Sequence, residues 1–136
     1  ESVYDKLHFY RFGRKEKKKI IGRVGRLLAG EKGILLAIIF GSFTRRSSVR
    51  DIDLCVYSVP TLNLNEVLSL NAKIELDLGL PIDLVELTYL PPSFRLKVLK
   101  NGVLVKGSET LLHQLADQAY SELMSLENYS KSKPLV

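Results

Sequence analysis

Hydrophobic and polar positions follow a helical spacing in some segments of the chain and a strand-like spacing in others. Across residues 15–28, apolar side chains recur every three or four positions with lysines between them, which predicts an amphipathic helix. Gly30 and Gly33 follow, and they predict a left-handed helix cap and then a turn. The apolar run from Ile34 to Phe40 is too short and too β-branched for a second helix, so it predicts a buried central strand.

The rest of the chain predicts three more strands and three more helices. Residues 63–78 also alternate like a strand, but their length of sixteen residues favours a helix, with Asn65 as its N-cap. Asn101–Gly102 is also typical of a hairpin turn, but Lys97 just before it favours a helix C-terminus. The predicted elements are the strands Ile52–Ser58, Ile82–Leu87 and Val103–Val105 and the helices 63–78, 91–101 and about 109–130.

This order of elements predicts an α/β fold, a small mixed sheet with helices packed on it. A chain of 136 residues is long enough for one domain and short for two, so residues 1–136 are predicted to form a single domain. Its core is expected over about residues 15–107, and the long C-terminal helix follows from about residue 109.

Composition narrows the class of protein. Hydrophobic residues make up 46% of the chain and charged residues 26%, which excludes a disordered protein. The longest purely apolar run has seven residues, too few for a membrane span. Cys55 is the single cysteine and can form no internal disulfide, so a reduced, cytoplasmic protein is expected.

The charge of the chain fits an anionic partner only in part. The formal net charge is +5, and eight basic residues fall between Arg11 and Arg26. Such a balance suits a nucleotide or RNA, but solvated helices often have the same composition. Cations at the start of a helix oppose its macrodipole, which favours a loosely ordered, solvated start here and leaves RNA weakly supported as a partner.

Two carboxylates stand at the head of the strand predicted from Ile52. On a strand, Asp51 and Asp53 would share one face, where their mutual repulsion costs about 4 kcal/mol at about 4 Å and an effective dielectric near 20. Neighbouring arginines could offset this cost, and a divalent cation would do so better. Mg²⁺ takes one or two carboxylates and completes its shell with waters and phosphate oxygens.

A Gly-Ser turn precedes this pair. Gly41 directly after a strand allows the backbone to approach a ligand closely, and N–H groups at the following helix start favour phosphate oxygens. Ser42 adds a hydroxyl donor, and Arg45 adds a forked cation. Each feature is weak evidence when taken alone, but the order and short spacing of the turn and the pair predict a phosphate and metal site.

A third carboxylate interrupts the later apolar segment LPIDLVEL. Asp83 alone fits a strand-end carboxylate paired with a Lys or Arg. If its strand neighbours that of Asp53, three acidic groups converge on one edge of the sheet. Phosphoryl transfer at two metal ions needs such an arrangement.

With "FGSFTRRSSVRDIDLCVY" and the later "IDLVEL", the chain resembles the minimal nucleotidyltransferases of the polymerase β-like superfamily. Their motif is a Gly-Ser turn, a loop, an Asp-x-Asp pair and a third Asp on a following strand. The loop here has eight residues between Ser42 and Asp51, fewer than in many members, and Arg46 stands where those members have Gly. The matching residues are Gly41, Ser42, Arg45, Asp51, Asp53 and Asp83.

The resemblance implies a role for each matching residue. Asp51 and Asp53 would hold Mg²⁺, with two ions expected. Gly41 and Ser42, with Arg45, would bind the phosphates of ATP. Asp83, also a metal ligand, would assist the acceptor hydroxyl.

Minimal members of this superfamily resemble antitoxins whose partner is an all-helical HEPN-type ribonuclease. The resemblance therefore implies that AMP is transferred from ATP to a tyrosine of a HEPN-type partner, as part of a toxin–antitoxin system. Two alternatives stay open. One is a non-catalytic antitoxin that acts by contact, and the other is a transferase for RNA or a small molecule.

The last predicted helix has an apolar stripe of roughly 22 Å, long for so small a domain. Its first half is expected to pack on the sheet. Its second half, from Tyr120 to Tyr129, is expected to bind a helical partner. The alternatives are that the whole stripe is buried within the monomer or that it pairs two copies of this chain. The stripe consists of Leu111, Leu115, Ala119, Leu123 and Leu126.

Overall fold

A computed structural model describes residues 10–132, so residues 1–9 and 133–136 of the predicted domain lie outside the described part. Within residues 10–132, six strands form one two-stranded and one four-stranded sheet. The strands are β1 (Tyr10–Arg11), β2 (Ile34–Phe40), β3 (Ser48–Val49), β4 (Ile52–Ser58), β5 (Ile82–Glu86) and β6 (Val103–Lys106). The helices are α1 (Arg14–Ala29), α2 (Ser42–Arg45), α3 (Leu64–Leu78), α4 (Pro92–Asn101) and α5 (Glu109–Ser132), with a 3₁₀ turn at Leu87–Tyr89.

The four-stranded sheet has the order β5-β4-β2-β6. β2 pairs antiparallel with both β4 and β6, and β4 pairs parallel with β5. Helices cover both faces, because α1 and α3 belong to one hydrophobic cluster and α4 and α5 to the other. The central strand β2 supplies buried side chains to both clusters, which explains its unbroken apolar run. The predicted α/β fold, a mixed sheet with helices packed on it, is confirmed.

Several helix ends differ from the prediction. Asn63, and not Asn65, is the N-cap of α3, because its side-chain oxygen accepts the Glu66 N–H at 2.8 Å while Glu66 accepts the Asn63 N–H at 2.9 Å. Gly30 ends α1 in a right-handed conformation, with φ −79°, so the predicted left-handed cap is wrong there. Leu87 starts a 3₁₀ turn and does not extend β5.

The start of α1 is a regular helix from Arg14, so the predicted loose start is wrong. The Gly13 N–H donates to Glu16 Oε1 at 3.2 Å, which satisfies one of the N–H groups that a helix start leaves open. The short pair β1–β3, in which Arg11 is opposite Ser48, was not predicted because two-residue strands have no periodicity to detect.

The long helix α5 changes its environment along its length. Leu115 and Ala119 are buried, and Leu115 belongs to the hydrophobic cluster shared by the sheet and α4, which confirms that the first half of α5 is part of the core. Beyond them, Tyr120 and Leu126 are 52% and 56% exposed. Across residues 10–132, no helix combines the length and apolarity that a bilayer span requires.

Candidate active site

The turn after β2 allows no side chain at position 41. Gly41 has φ 76° and ψ −148°, a backbone conformation that is essentially confined to glycine. A Cβ atom there would overlap Asp53 Oδ2 and lie 3.2 Å from Asp53 Cγ. Glycine is therefore required by both the backbone angle and the carboxylate beside it.

The short helix α2 starts directly after this glycine. Thr44 closes the turn, because its hydroxyl and its N–H donate to the Gly41 carbonyl at 2.8 and 3.2 Å. Phe43 is buried and anchors the helix in the core, while Ser42 is half-buried and Arg45 is exposed. The first N–H groups of a helix have no partner within it, so this turn offers backbone donors beside Asp53.

Strand register brings two of the three predicted carboxylates together. β4 pairs with β2 so that Asp53 is opposite Phe40, the residue before Gly41. β4 also pairs with β5 so that Asp53 is opposite Asp83. These two strands are parallel neighbours, so the condition stated for convergence is met for Asp53 and Asp83.

Asp51 is placed differently from the prediction. It lies one residue before β4 begins and is exposed, so it belongs to the turn before the strand and not to the strand itself. Its negative charge nevertheless contributes to the raised pKa of Asp53. We refer to Asp51, Asp53 and Asp83 as the carboxylate edge.

The electrostatics of this edge favour a bound cation. The pKa of Asp53 is raised to about 6, mainly by burial and in addition by the charges of Asp51 and Asp83 and by a hydrogen bond with Asp83. The site therefore carries more negative charge than its surroundings can stabilise, and a divalent cation would reverse the effect.

The carboxylates fit Mg²⁺ whose remaining coordination positions are filled by water and substrate oxygens. Within the described residues, no group of three or more His, Cys, Asp or Glu side chains is arranged to enclose a metal ion. Mg²⁺ does not need such a cage, since it commonly takes one or two carboxylates and fills its other positions with waters and phosphates. Neighbouring carboxylates beside an open cleft meet that requirement.

A cleft of about 760 Å³ opens next to the carboxylate edge. One wall contains Asp53 and the α2 turn, including Ser42 and Arg45. The opposite wall is α4, which contributes Phe94 and Lys97. The volume lies within the range of small-molecule sites in proteins.

The α4 wall was not part of the predicted site. Phe94 is 43% exposed and packs edge-to-face on Phe40, with ring centroids 6.0 Å apart. Lys97 follows at three residues and Asn101 at seven, so the three side chains share one face of the helix. In the sequence, Lys97 indicates only a cation near a helix C-terminus, so the pattern alone does not assign Phe94 and Lys97 to a site.

Comparison with known proteins identifies a family. Residues 23–110 match the sequence profile described as "Polymerase beta, Nucleotidyltransferase". This span covers more than half of the chain and contains the turn, the carboxylate edge and α4. None of the curated proteins matches the chain closely enough to be a relative.

Solved structures share the fold at low sequence identity. The toxin–antitoxin complex MntA–HepT matches with TM-score 0.69 and 21% identity over 85% of this chain and 93% of that chain. The tri-AMPylated Shewanella oneidensis HEPN toxin in complex with MNT antitoxin gives 0.71 and 21% over the same shares. A toxin–antitoxin complex with AMP-PNP gives 0.73 and 23%, over 82% and 93%.

Proposed function

Because the chain belongs to the polymerase beta nucleotidyltransferase family, we propose that it transfers AMP from ATP to a tyrosine hydroxyl of a helical HEPN-type partner. In this role it is the antitoxin of a toxin–antitoxin pair. The observation that carries the proposal is the register that sets Asp53 opposite Asp83 and directly against Gly41.

Asp51, Asp53 and Asp83 would hold Mg²⁺ in the working enzyme. The ion supplies Lewis-acid stabilisation of negative charge on the phosphates, and two ions are expected from the three carboxylates. The raised pKa of Asp53 supports this role, because burial and the like charges of Asp51 and Asp83 disfavour the charged form of Asp53, which a bound cation would favour. Cation binding would return the pKa of Asp53 toward its ordinary value.

The cleft offers a complete set of groups for ATP. Arg45 on one wall and Lys97 on the other supply positive charge for the triphosphate, and the Ser42 hydroxyl and the α2 backbone supply donors. Phe94 presents an exposed aromatic ring on which the adenine could stack. The α4 residues therefore complement the predicted ones.

The transfer step needs a base near the acceptor. The tyrosine oxygen attacks the α-phosphorus, a new O–P bond forms, the bond from the α-phosphorus to the bridging oxygen breaks, and pyrophosphate leaves. The hydroxyl proton passes to a carboxylate. Asp83 is suited to accept it because it is exposed and lies opposite Asp53 on the neighbouring strand, whereas Asp53 itself is half-buried.

The second half of α5 is the surface proposed for the partner. From Tyr120 to Tyr129 the helix contains two acidic residues and no Lys or Arg, although the whole chain is basic, and Glu122, one of the two, pairs with Arg95. Tyr120 and Leu126 add exposed apolar area. An acidic and apolar helix face fits a basic, helical partner surface.

The proposed reaction is tested by identifying the molecule that receives label from ATP. The protein is incubated with Mg²⁺ and ATP labelled at the α-phosphate or the γ-phosphate, together with a lysate of its source cell. We expect one protein band labelled only by α-labelled ATP, with mass increased by AMP units on tyrosine. Asp53→Asn should abolish the label, and Asp77→Asn, which removes an exposed carboxylate on α3, should not.

Other outcomes identify the alternatives. Label on RNA or on a small molecule would indicate a different acceptor. A protein partner that binds without label would indicate an antitoxin that acts by contact. Label from the γ-phosphate would contradict nucleotidyl transfer.

A further inference from the structure

Positive charge concentrates in two segments of the chain. Residues 10–19 contain six Lys or Arg and one Glu, and residues 41–51 contain three Arg and one Asp. The two segments together carry a formal charge of +7, whereas the whole chain carries +5. The remainder of the protein is therefore net negative, and the positive charge is a local feature.

The fold places these two segments side by side. β1 pairs with β3 so that Arg11 is opposite Ser48, and the Phe12 N–H donates to the Ser47 carbonyl at 2.8 Å. Lys17 Nζ donates to the Arg46 carbonyl at 2.5 Å, which ties α1 to the loop after α2. We refer to the resulting exposed cations as the basic surface, which consists of Arg11, Arg14, Lys15, Lys18 and Arg46.

The basic surface is not neutralised within the part of the chain that the structure describes. The ion pairs of Arg23 with Asp77, of Lys73 with Glu31 and of Arg95 with Glu122 lie elsewhere, and among the described residues no ion pair involves a member of this surface. Arg14, Lys15 and Lys18 also lie in the first turns of α1, where positive charge opposes the helix macrodipole. Clustered cations in this position cost stability, which an anionic partner would restore.

We propose that the basic surface binds the phosphodiester backbone of nucleic acid. Protein partners are usually recognised through a buried apolar centre. Among the described residues, neither of the two basic segments contains an exposed large hydrophobic side chain. Exposed Lys and Arg without apolar area are typical of backbone contact with nucleic acid. This inference rests on charge and placement, independently of AMP transfer.

Binding is measured with the full chain by fluorescence anisotropy, at 50 and 200 mM salt. The probes are single- and double-stranded RNA and DNA of one sequence and length, and a polyglutamate peptide. We expect nucleic acid to bind at 50 mM salt and to be released as salt rises. The triple variant Arg14→Gln/Lys15→Gln/Lys18→Gln should bind at least about tenfold more weakly, with a log–log salt slope shallower by about 2.

A matched control separates the basic surface from overall charge. Lys32→Gln/Lys100→Gln/Lys131→Gln removes the same charge from exposed positions elsewhere and should change affinity by no more than about twofold. Equal weakening in the two triple variants would overturn the proposal. So would the absence of binding by the unaltered chain at 50 mM salt, or polyglutamate binding as tight as that of RNA and DNA. A preference for RNA or for DNA would support it and identify the nucleic acid.

Discussion

The carboxylate edge and the second half of α5 break the usual rule of polar outside and apolar inside in opposite directions. At the edge, Asp53 is half-buried at the head of a core strand, beside two like charges. On α5, Leu126 and Tyr120 extend apolar side chains into solvent. A cation would stabilise a carboxylate that is partly buried. A protein partner would stabilise apolar side chains that are exposed to water by burying them. The contrast supports the proposal that chemistry takes place at the first region and partner recognition at the second.

Asp83→Asn is expected to give the largest effect on the chemical side of this comparison. If Asp83 accepts the proton, turnover should fall by about 10²–10⁴-fold while nucleotide affinity changes little. Single-turnover label transfer and equilibrium nucleotide binding measure the two quantities separately. A parallel fall in both would make Asp83 a ligand of the nucleotide-bound metal only.

Position 115 and position 126 test the recognition side. Leu115 is buried, so Leu115→Ala should cost about 2–5 kcal/mol of unfolding free energy. Leu126 is exposed, so Leu126→Asp should change stability by no more than about 0.5 kcal/mol and still weaken the partner complex. Denaturant unfolding and sizing by light scattering give the two readouts. A clean monomer that is strongly destabilised by Leu126→Asp would show that this residue belongs to the core.

Gly41 and Gly79 both have positive φ, and comparing substitutions at the two positions tests the contact between Gly41 and Asp53. Gly41→Ala should cost about 1–3 kcal/mol and displace Asp53, with loss of nucleotide binding, because its Cβ would overlap that carboxylate. Gly79 also has positive φ, at 69°, but a Cβ there meets no heavy atom within 4 Å. Gly79→Ala should therefore lower the melting temperature without affecting nucleotide binding. Equal effects on binding would remove the special role of position 41.

The sequence predicted the edge better than the cleft, for a physical reason. The apolar runs are interrupted by Asp51, Asp53 and Asp83. Because a charge beside a buried strand costs free energy, such residues indicate a function. Phe94 and Lys97 lie on a helix whose exposed face is polar in any case, so nothing in the pattern separates them from ordinary surface residues. Their role depends on which wall of the cleft α4 occupies, which is a property of tertiary packing.

The small structural differences follow the same reasoning. Both Asn63 and Asn65 are competent N-caps, and only the reciprocal bonds with Glu66 select Asn63. The pair β1–β3 depends on contacts between segments about forty residues apart. Neither choice is encoded in local periodicity.

A smaller effect is expected from pH. The folded pKa of Asp53, about 6, lies above its ordinary value of 3.8, so unfolding releases a proton between these values. Without metal, stability should therefore fall as pH rises from about 4 to about 6, and Asp53→Asn should flatten this part of the profile. Urea unfolding at each pH measures it. A profile for the unaltered chain that matches Asp53→Asn would contradict the raised pKa.

The most direct test of the carboxylate edge is a thermal shift with Mg²⁺ and ATP added separately and together. The unaltered chain and Asp77→Asn should gain melting temperature when both are present, because ligands that bind only the folded state stabilise it by mass action. Asp53→Asn should lose this joint gain while being no less stable without ligand. The same gain in Asp53→Asn as in the unaltered chain would contradict the assignment of this edge as the site where metal and nucleotide bind.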